Sequence, residues 1–430
     1  LDPNLRQPLF WHQYKLNGVI VKSGSSVITG GTVMNLYHEP VGLLIAIVLP
    51  LIGAVIIPLF DRHPNIREFI SLITSSCLLL TCLTLYLNFA PNSEERLVLL
   101  ELMPSLSLSF ALEPLSLIFA LMSSFLWLLT SLYSIGYMRQ HKEKNQTRFY
   151  QFFAITMATV MGIAFADNLF TLYVFYELLT LSTYPLVVHA GNAKAKRGAR
   201  TYLALLLFTS VLFFLPAIIQ TWLVGGSLDF SNGGLLSHDM TSTTLLAILL
   251  PLFVLGIGKG AIFPFHRWLP AAMVAPTPVS ALLHAVAVVK GGVFTILKVS
   301  VYVFGLDLLD TLPSTQIVLH LAAITVLFAS LVALRQDNLK KRLAYSTVSQ
   351  LGYVTVGALL ANKAGIIGGA MHMAIHGFGK ITLFFCAGAI LVMTGKTKIS
   401  ELNGIGRQMP VTMLAFIVAS LSIIGLPPTA

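Results

Sequence analysis

Apolar residues in this chain gather into long runs separated by short polar stretches. Twelve of these runs read as helices that cross a bilayer, because ~20 residues at 1.5 Å rise cover ~30 Å of hydrocarbon. Their approximate limits are 41–60, 69–89, 114–137, 149–166, 169–190, 200–224, 243–264, 278–305, 317–334, 341–361, 366–393 and 410 to the end.

Composition agrees: 56% of residues are hydrophobic and 10% charged, where a soluble globular chain carries roughly 25% charged residues. A polytopic, all-α membrane protein in contact with lipid is the class this implies. The net charge of +10 would point to nucleic acid in a soluble chain, but here it sorts by topology. Loops after odd-numbered spans hold Arg62 and Arg67; Arg139, Lys142, Lys144 and Arg148; Lys194, Lys196, Arg197 and Arg200; Arg267; Arg335, Lys340, Lys341 and Arg342; and Lys396, Lys398 and Arg407. Loops after even-numbered spans hold only Arg96 and Lys363 as bases, beside Asp229, Asp239, Asp307 and Asp310. A span added or omitted in mid-chain would scramble that alternation. The basic charge is an orientation signal that places the odd-to-even loops in the cytoplasm, and no nucleic-acid partner is expected.

Residues 1–33 are polar, begin without methionine and differ in character from the rest of the chain. They read as an N-terminal extension, either a tag or upstream translation with Met34 the natural start or a periplasmic arm, ahead of a transmembrane domain at 34–430; no cleavable secretory signal is visible. The chain stops at Gly425-Leu426-Pro427-Pro428 inside the twelfth apolar run, which reads as truncation. Cys77, Cys82 and Cys386 lie in spans without ligand-like spacing. Gly256-Ile-Gly-Lys-Gly-Ala matches the dinucleotide fingerprint only by letters, since it lies in an apolar span rather than after a strand. No cofactor and no metal is expected.

Against this apolar background stand Glu177, Lys259, Lys290, Lys298 and Lys380. An ionisable group at the bilayer centre costs roughly 2.5–3.5 kcal/mol on the mildest scale, so several of them in one chain point to charge movement. Glu177 reads either as a static ion-pair partner or as a group that tunes a neighbouring lysine. Lys259 is the natural neighbour: Gly256, Gly258 and Gly260 admit a close helix, and Pro264 breaks the span, as in transporter ion sites. His284 and Lys290, six residues apart, would point ~120° from each other on a continuous helix and could pass a proton between layers. Lys298, near the outer end of its span, reads as a snorkelling residue. His372, His376 and Lys380 are spaced four and four, a single stripe with ~12 Å of rise, as a hydrated relay requires. Two histidines at i and i+4 could also share a metal ion, although no third ligand is evident. A haem-binding role for His189, His284, His320, His372 and His376, or a passive scaffold, are the readings from other classes.

The segment from Lys259 through Phe263-Pro-Phe-His-Arg-Trp-Leu-Pro and Pro276-Thr-Pro-Val-Ser-Ala-Leu-Leu-His284 to Lys290 resembles the signature of antiporter-like subunits. These subunits are shared by Mrp-type Na+/H+ antiporters, membrane-bound hydrogenases and respiratory complex I. Leu339-Lys-Lys-Arg-Leu-Ala-Tyr-Ser-Thr-Val-Ser-Gln-Leu-Gly-Tyr353 and His376-Gly-Phe-Gly-Lys380 match two further signatures in order. The resemblance implies a fourteen-helix bundle of two inverted five-helix repeats with broken helices, about twelve of which are present. It assigns Glu177 to the fifth helix, Lys259 to the seventh, His284 and Lys290 to the eighth and Lys380 to the eleventh, with the terminal group of the path beyond Ala430. Ala271, where complex I members usually carry aspartate, and Tyr176-Glu-Leu-Leu-Thr-Leu-Ser-Thr-Tyr-Pro-Leu-Val187 resemble the D-type member of the Mrp antiporters.

The expected activity is that of a subunit in a multisubunit Na+/H+ antiporter of the inner (plasma) membrane. Protons would pass along Glu177, Lys259, His284, Lys290 and Lys380, with His372, His376 and Lys298 secondary. The expected partners are other membrane subunits and a monovalent cation. An L- or M-type pumping subunit of a quinone oxidoreductase or hydrogenase is the alternative.

Overall fold

A computed structural model describes residues 39–90, 96–103 and 106–427. The extension expected at 1–33 and residues 428–430 lie outside the described residues. Each of the twelve apolar runs is helical. The first three are α1 (Glu39–Ile56), α2 (Pro64–Leu87) and α3 (Pro114–Gln140). Next come α4 (Gln146–Ala164), α5 (Leu169–Val187), and α6 (Ala193–Thr209), which runs through a π-turn into α7 (Leu215–Gly225). Then come α8 (Thr243–Gly256), a one-turn α9 (Trp268–Ala271), α10 (Thr277–Ala285), α11 (Val288–Lys298) and a short α12 (Leu306–Thr311). The chain continues with α13 (Pro313–Arg335), α14 (Leu339–Leu359), α15 (Lys363–Thr394), a one-turn α16 (Ile405–Gln408) and α17 (Pro410–Ile424). Seven of the helical stretches are long and apolar enough to cross a membrane by length and composition. α8 and α17 are apolar but shorter.

Two helices begin well ahead of their apolar runs, α2 by five residues and α6 by seven. α2 takes in Arg67 and α6 takes in Lys194, Lys196 and Arg197. The cause is capping chemistry: α2 opens on Pro64, and the Asn192 side chain accepts from Ala195 N–H, so each helix nucleates on polar residues before its apolar stretch.

Contacts between loops divide the fold into two ends. At one, Arg139 donates to Asn65 and Glu68, Thr147 bonds Asp61, Arg148 donates to the His189 carbonyl, Lys340 donates to the Ala275 carbonyl, and Ser400 donates to Asp337. These residues all follow odd-numbered spans. At the other end Arg96 meets Asp167, Asn168 bridges to Asp229, and His238 meets Thr311, all after even-numbered spans. The loops named thus meet in two groups, as alternate crossings require.

Between α2 and α3 lies an antiparallel hairpin, β1 (Arg96–Met103) with β2 (Leu106–Ala111), which the helix-length reading overlooked. Its signal is the period-two alternation Leu106-Ser-Leu-Ser-Phe110.

The span Thr277–Phe304 is enclosed by other helices, every residue from Thr277 to Ser300 being buried. It is broken at Val286 and Ala287, whose backbone leaves helical geometry (ψ −59° and −81° with φ −122° and −94°). The ~120° separation expected of His284 and Lys290 on a continuous helix therefore does not apply. The seventh span breaks too, at Ile257 instead of continuing to 264. Gly258–Gly260 form a single 3₁₀ turn, and Ala261 is left-handed (φ 54°).

Candidate functional site

The break after α8 is what positions Lys259. Polar backbone freed in an apolar interior must find partners, and here side chains supply them: Trp268 Nε1 donates to the Gly258 carbonyl at 2.9 Å and Lys259 N–H donates to Tyr176 Oη at 3.1 Å. Glycine makes the approach possible. A Cβ on Gly292 of α11 would lie 2.3 Å from the Lys259 carbonyl carbon, and one on Gly258 would lie 2.1 Å from Thr209 Oγ1. The close packing expected of this glycine cluster is present, and the neighbours are α11 and the π-turn of the sixth span.

Lys259 is fully buried. Its ammonium donates to the Tyr176 carbonyl at 2.8 Å and to Thr180 Oγ1 at 2.6 Å, and sits 3.2 Å from the Tyr176 ring centroid. Tyr176 and Thr180 are one turn apart on α5, so a single face of that helix cradles the cation. Glu177 is next to Tyr176 in the chain but does not pair with Lys259: both of its carboxyl oxygens are buried with no hydrogen-bond partner among the described residues. The direct ion pair that the sequence suggests is absent because Lys259 takes the α5 backbone and hydroxyl instead.

Lys290 falls halfway along Thr277–Phe304 and is fully buried. Its Nζ lies 2.5 Å from His376 Nδ1 on α15. His376 in turn stacks on His372, with centroids 6.1 Å apart and planes 24° from parallel. His372 Nε2 meets Gln350 Oε1 of α14 at 2.7 Å, and both residues line a cleft of about 970 Å³ bounded by α14, α15 and the end of α17. One turn beyond His376, Lys380 donates to Ser346 Oγ at 2.5 Å and to the Leu343 carbonyl at 3.2 Å. His284 is fully buried against the Phe384 ring (4.9 Å), and both of its ring nitrogens lack a partner among the described residues.

The expected stripe on α15 is therefore real, and Lys290 joins it from α11. The sequence reading missed the groups that hold these bases: Thr180 for Lys259, and Ser346 and Gln350 for the α15 stripe. Their signal was spacing, since Tyr176 and Thr180, like Ser346 and Gln350, are i, i+4 pairs.

Lys298 is a correction. It does not snorkel: it is 0% exposed, its Nζ lies 3.2 Å from Glu113 Oε2 and donates to the Ala166 carbonyl, and the Phe230 ring covers it at 4.4 Å. An acid at the start of α3 draws the ammonium inward, where a hydrated headgroup would otherwise have held it.

Enclosed bases in a bundle of apolar helices define a polytopic membrane protein with ionisable groups deep in its interior. Residues 166–430 match the family described as NADH:quinone oxidoreductase/Mrp antiporter, TM, and residues 103–150 match that described as NADH-ubiquinone oxidoreductase (complex I), chain 5 N-terminus. The chain belongs to the NADH:quinone oxidoreductase/Mrp antiporter transmembrane family and has its antiporter-like helical fold.

NADH-quinone oxidoreductase subunit N of Desulforudis audaxviator is 31% identical over 328 residues, 76% of this chain and 65% of that protein. Na(+)/H(+) antiporter subunit A1 of Staphylococcus haemolyticus is 31% identical over 407 residues, 90% of this chain and 49% of that protein. The solved structure of the Mrp complex from Dietzia sp. DQ12-45-1b matches with a TM-score of 0.80 and 27% identity, covering 90% of this chain and 42% of that one. The chain spans 49–65% of the length of these two curated relatives.

Proposed function

We propose that this chain is a proton-translocating subunit of a multisubunit assembly that exchanges protons for a monovalent cation, Na+ in the first instance. Its partners are the other membrane subunits of an Mrp-type or complex I-like assembly in the plasma membrane, with the basic loop end in the cytoplasm. The observation that carries this reading is the Lys290–His376 contact of 2.5 Å inside a fully enclosed span. Two bases at hydrogen-bond distance can hand a proton from one to the other.

In this reading Lys259 holds a proton against the α5 carbonyl and hydroxyl, while the approach or withdrawal of the Glu177 carboxylate sets how firmly it is held. Release sends the proton through His284 or the Lys290–His376 pair to Lys380 and a group further along the path. A charge moved across the full potential changes in energy by ~2.3 kcal/mol per 100 mV, so coupling to a gradient is energetically adequate. Ala271 and the Tyr176–Val187 segment favour the antiporter over a quinone-oxidoreductase pump.

Inside-out vesicles carrying the complete assembly test both levels. Lys259→Ala should abolish proton movement, and Na+ should collapse an imposed pH gradient in the parent without any redox donor. Parental proton movement in Lys259→Ala would overturn the proton path. Proton movement that requires NADH or another reductant would replace the antiporter with the redox pump.

A further inference from the structure

Lys298 lies on a branch from the path at Lys290. It lies eight residues further along the same enclosed span, ~12 Å nearer the hairpin end of the fold. Burying an ammonium that could have snorkelled to water gains little stability by itself, because desolvation offsets most of what an ion pair returns.

The surroundings grade from enclosed to exposed. Lys298 is wholly covered, with the Phe230, Phe294 and Tyr302 rings within 6 Å. Its Glu113 partner is 16% exposed at the side chain. Asp167, the residue after the Ala166 carbonyl to which Lys298 donates, accepts from Ser109 Oγ at 3.2 Å and faces Arg96 Nη1 at 3.4 Å. The Arg96 side chain is 49% exposed. Asp229 approaches Asp167 from the loop that pairs with Asn168. The titratable groups facing Lys298 are thus Glu113 from α3, Asp167 from the α4–α5 loop and Tyr302 from its own span, with Arg96 and Asp229 behind Asp167.

Resting on the proton-translocating role proposed above, we propose that Lys298, Glu113 and Asp167 form an outlet relay that connects the interior row to water at the hairpin end, with Lys298 as proton carrier, Glu113 as acceptor and Asp167 as a positioning residue. An N–H bond of the Lys298 ammonium breaks as an O–H bond forms on Glu113. The Glu113 proton then leaves to water at the hairpin end, restoring the carboxylate. The neutral Lys298 amine takes its next proton through water from the Lys290–His376 pair. Arg96 and the Ser109 hydroxyl hold the Asp167 carboxyl in place beside the relay, and its side chain in turn orients the Lys298 ammonium.

Lys298→Arg separates a relay from a structural ion pair, because a guanidinium keeps the charge opposite Glu113 but does not release a proton. In the complete assembly a relay requires Lys298→Arg and Glu113→Gln each to slow proton movement at least tenfold per assembled complex, with Glu113→Asp recovering part of the rate. A structural pair would give parental rates per complex in Lys298→Arg, which overturns the proposal. Should the arginine fail to assemble, Glu113→Gln decides: a parental rate with an unchanged dependence on pH at the hairpin side overturns the relay, and a tenfold loss supports it. Lys259→Ala is run alongside, because its retention of transport would remove the underlying function, whereas its loss with parental Lys298 and Glu113 variants removes only the outlet.

Discussion

Lys290 Nζ and His376 Nδ1 approach to 2.5 Å from two different helices, each residue enclosed by the bundle. At that separation two positive charges would repel by about 7 kcal/mol at an effective dielectric of roughly 20, so the two groups are not both charged. A proton can pass from one nitrogen to the other with little movement of either side chain.

Replacing His376 with glutamine keeps an acceptor for Lys290 and removes the second titrating base. Proton movement in the complete assembly should fall by about a hundredfold or more, as the ~10²–10⁴ that a positioned acid or base contributes implies, while the amount of assembled complex stays near the parent's. Dye-monitored pH gradients in vesicles read the rate; a parental rate would mean that His376 only packs.

Gly292→Ala tests the packing that sets Lys259. The added methyl meets backbone at 2.3 Å, and backbone at a helix break cannot swing aside as a side-chain tip can. Overpacking of this kind costs ~1–3 kcal/mol. The thermal midpoint in detergent should drop by several degrees and proton movement should fall with it; an unchanged midpoint would contradict the close approach of α11 to the break.

A pH effect is expected at the basic loop end. Asp337 accepts from Ser400 N–H and from Ser400 Oγ, both at 2.9 Å, and these bonds hold its carboxyl below the ordinary value of 3.8. A depressed carboxyl contributes stability that is complete above its unfolded value and is lost as pH falls through its lower folded one. The parent should therefore melt higher than Asp337→Asn at neutral pH, and the two melting curves should converge below pH ~4. A gap that persists unchanged at acid pH would assign the stabilisation to something other than this carboxylate.

Helices were readable wherever apolar runs were long, and the alternation of basic loops matches the two groups of contacting loops. Period and charge do not encode depth or partner. Lys298 sits near the end of its run, a place where lysines commonly reach for water, and only the fold brings Glu113 from 185 residues earlier to draw it inside. Lys259 and Glu177 are of opposite charge, and pairing them is natural from charge alone; the Tyr176 carbonyl and Thr180 hydroxyl compete better because the break after α8 aims the ammonium along α5. The interruption at Val286–Ala287 left no proline or glycine as a marker, so a helical angle was applied across a helix that is not continuous. The α15 stripe was legible because three basic residues at intervals of four leave no other period.

Lys380 offers the most direct test of proton hand-off. It is fully buried, held by Ser346 and the Leu343 carbonyl, and lies just past halfway along Lys363–Thr394. Lys380→Arg preserves a positive charge there and removes the ability to give up a proton. Proton movement by the complete assembly in vesicles should be lost in Lys380→Arg as fully as in Lys380→Ala; transport by the arginine variant at the parental rate would show that a fixed charge suffices and that no proton passes through this row.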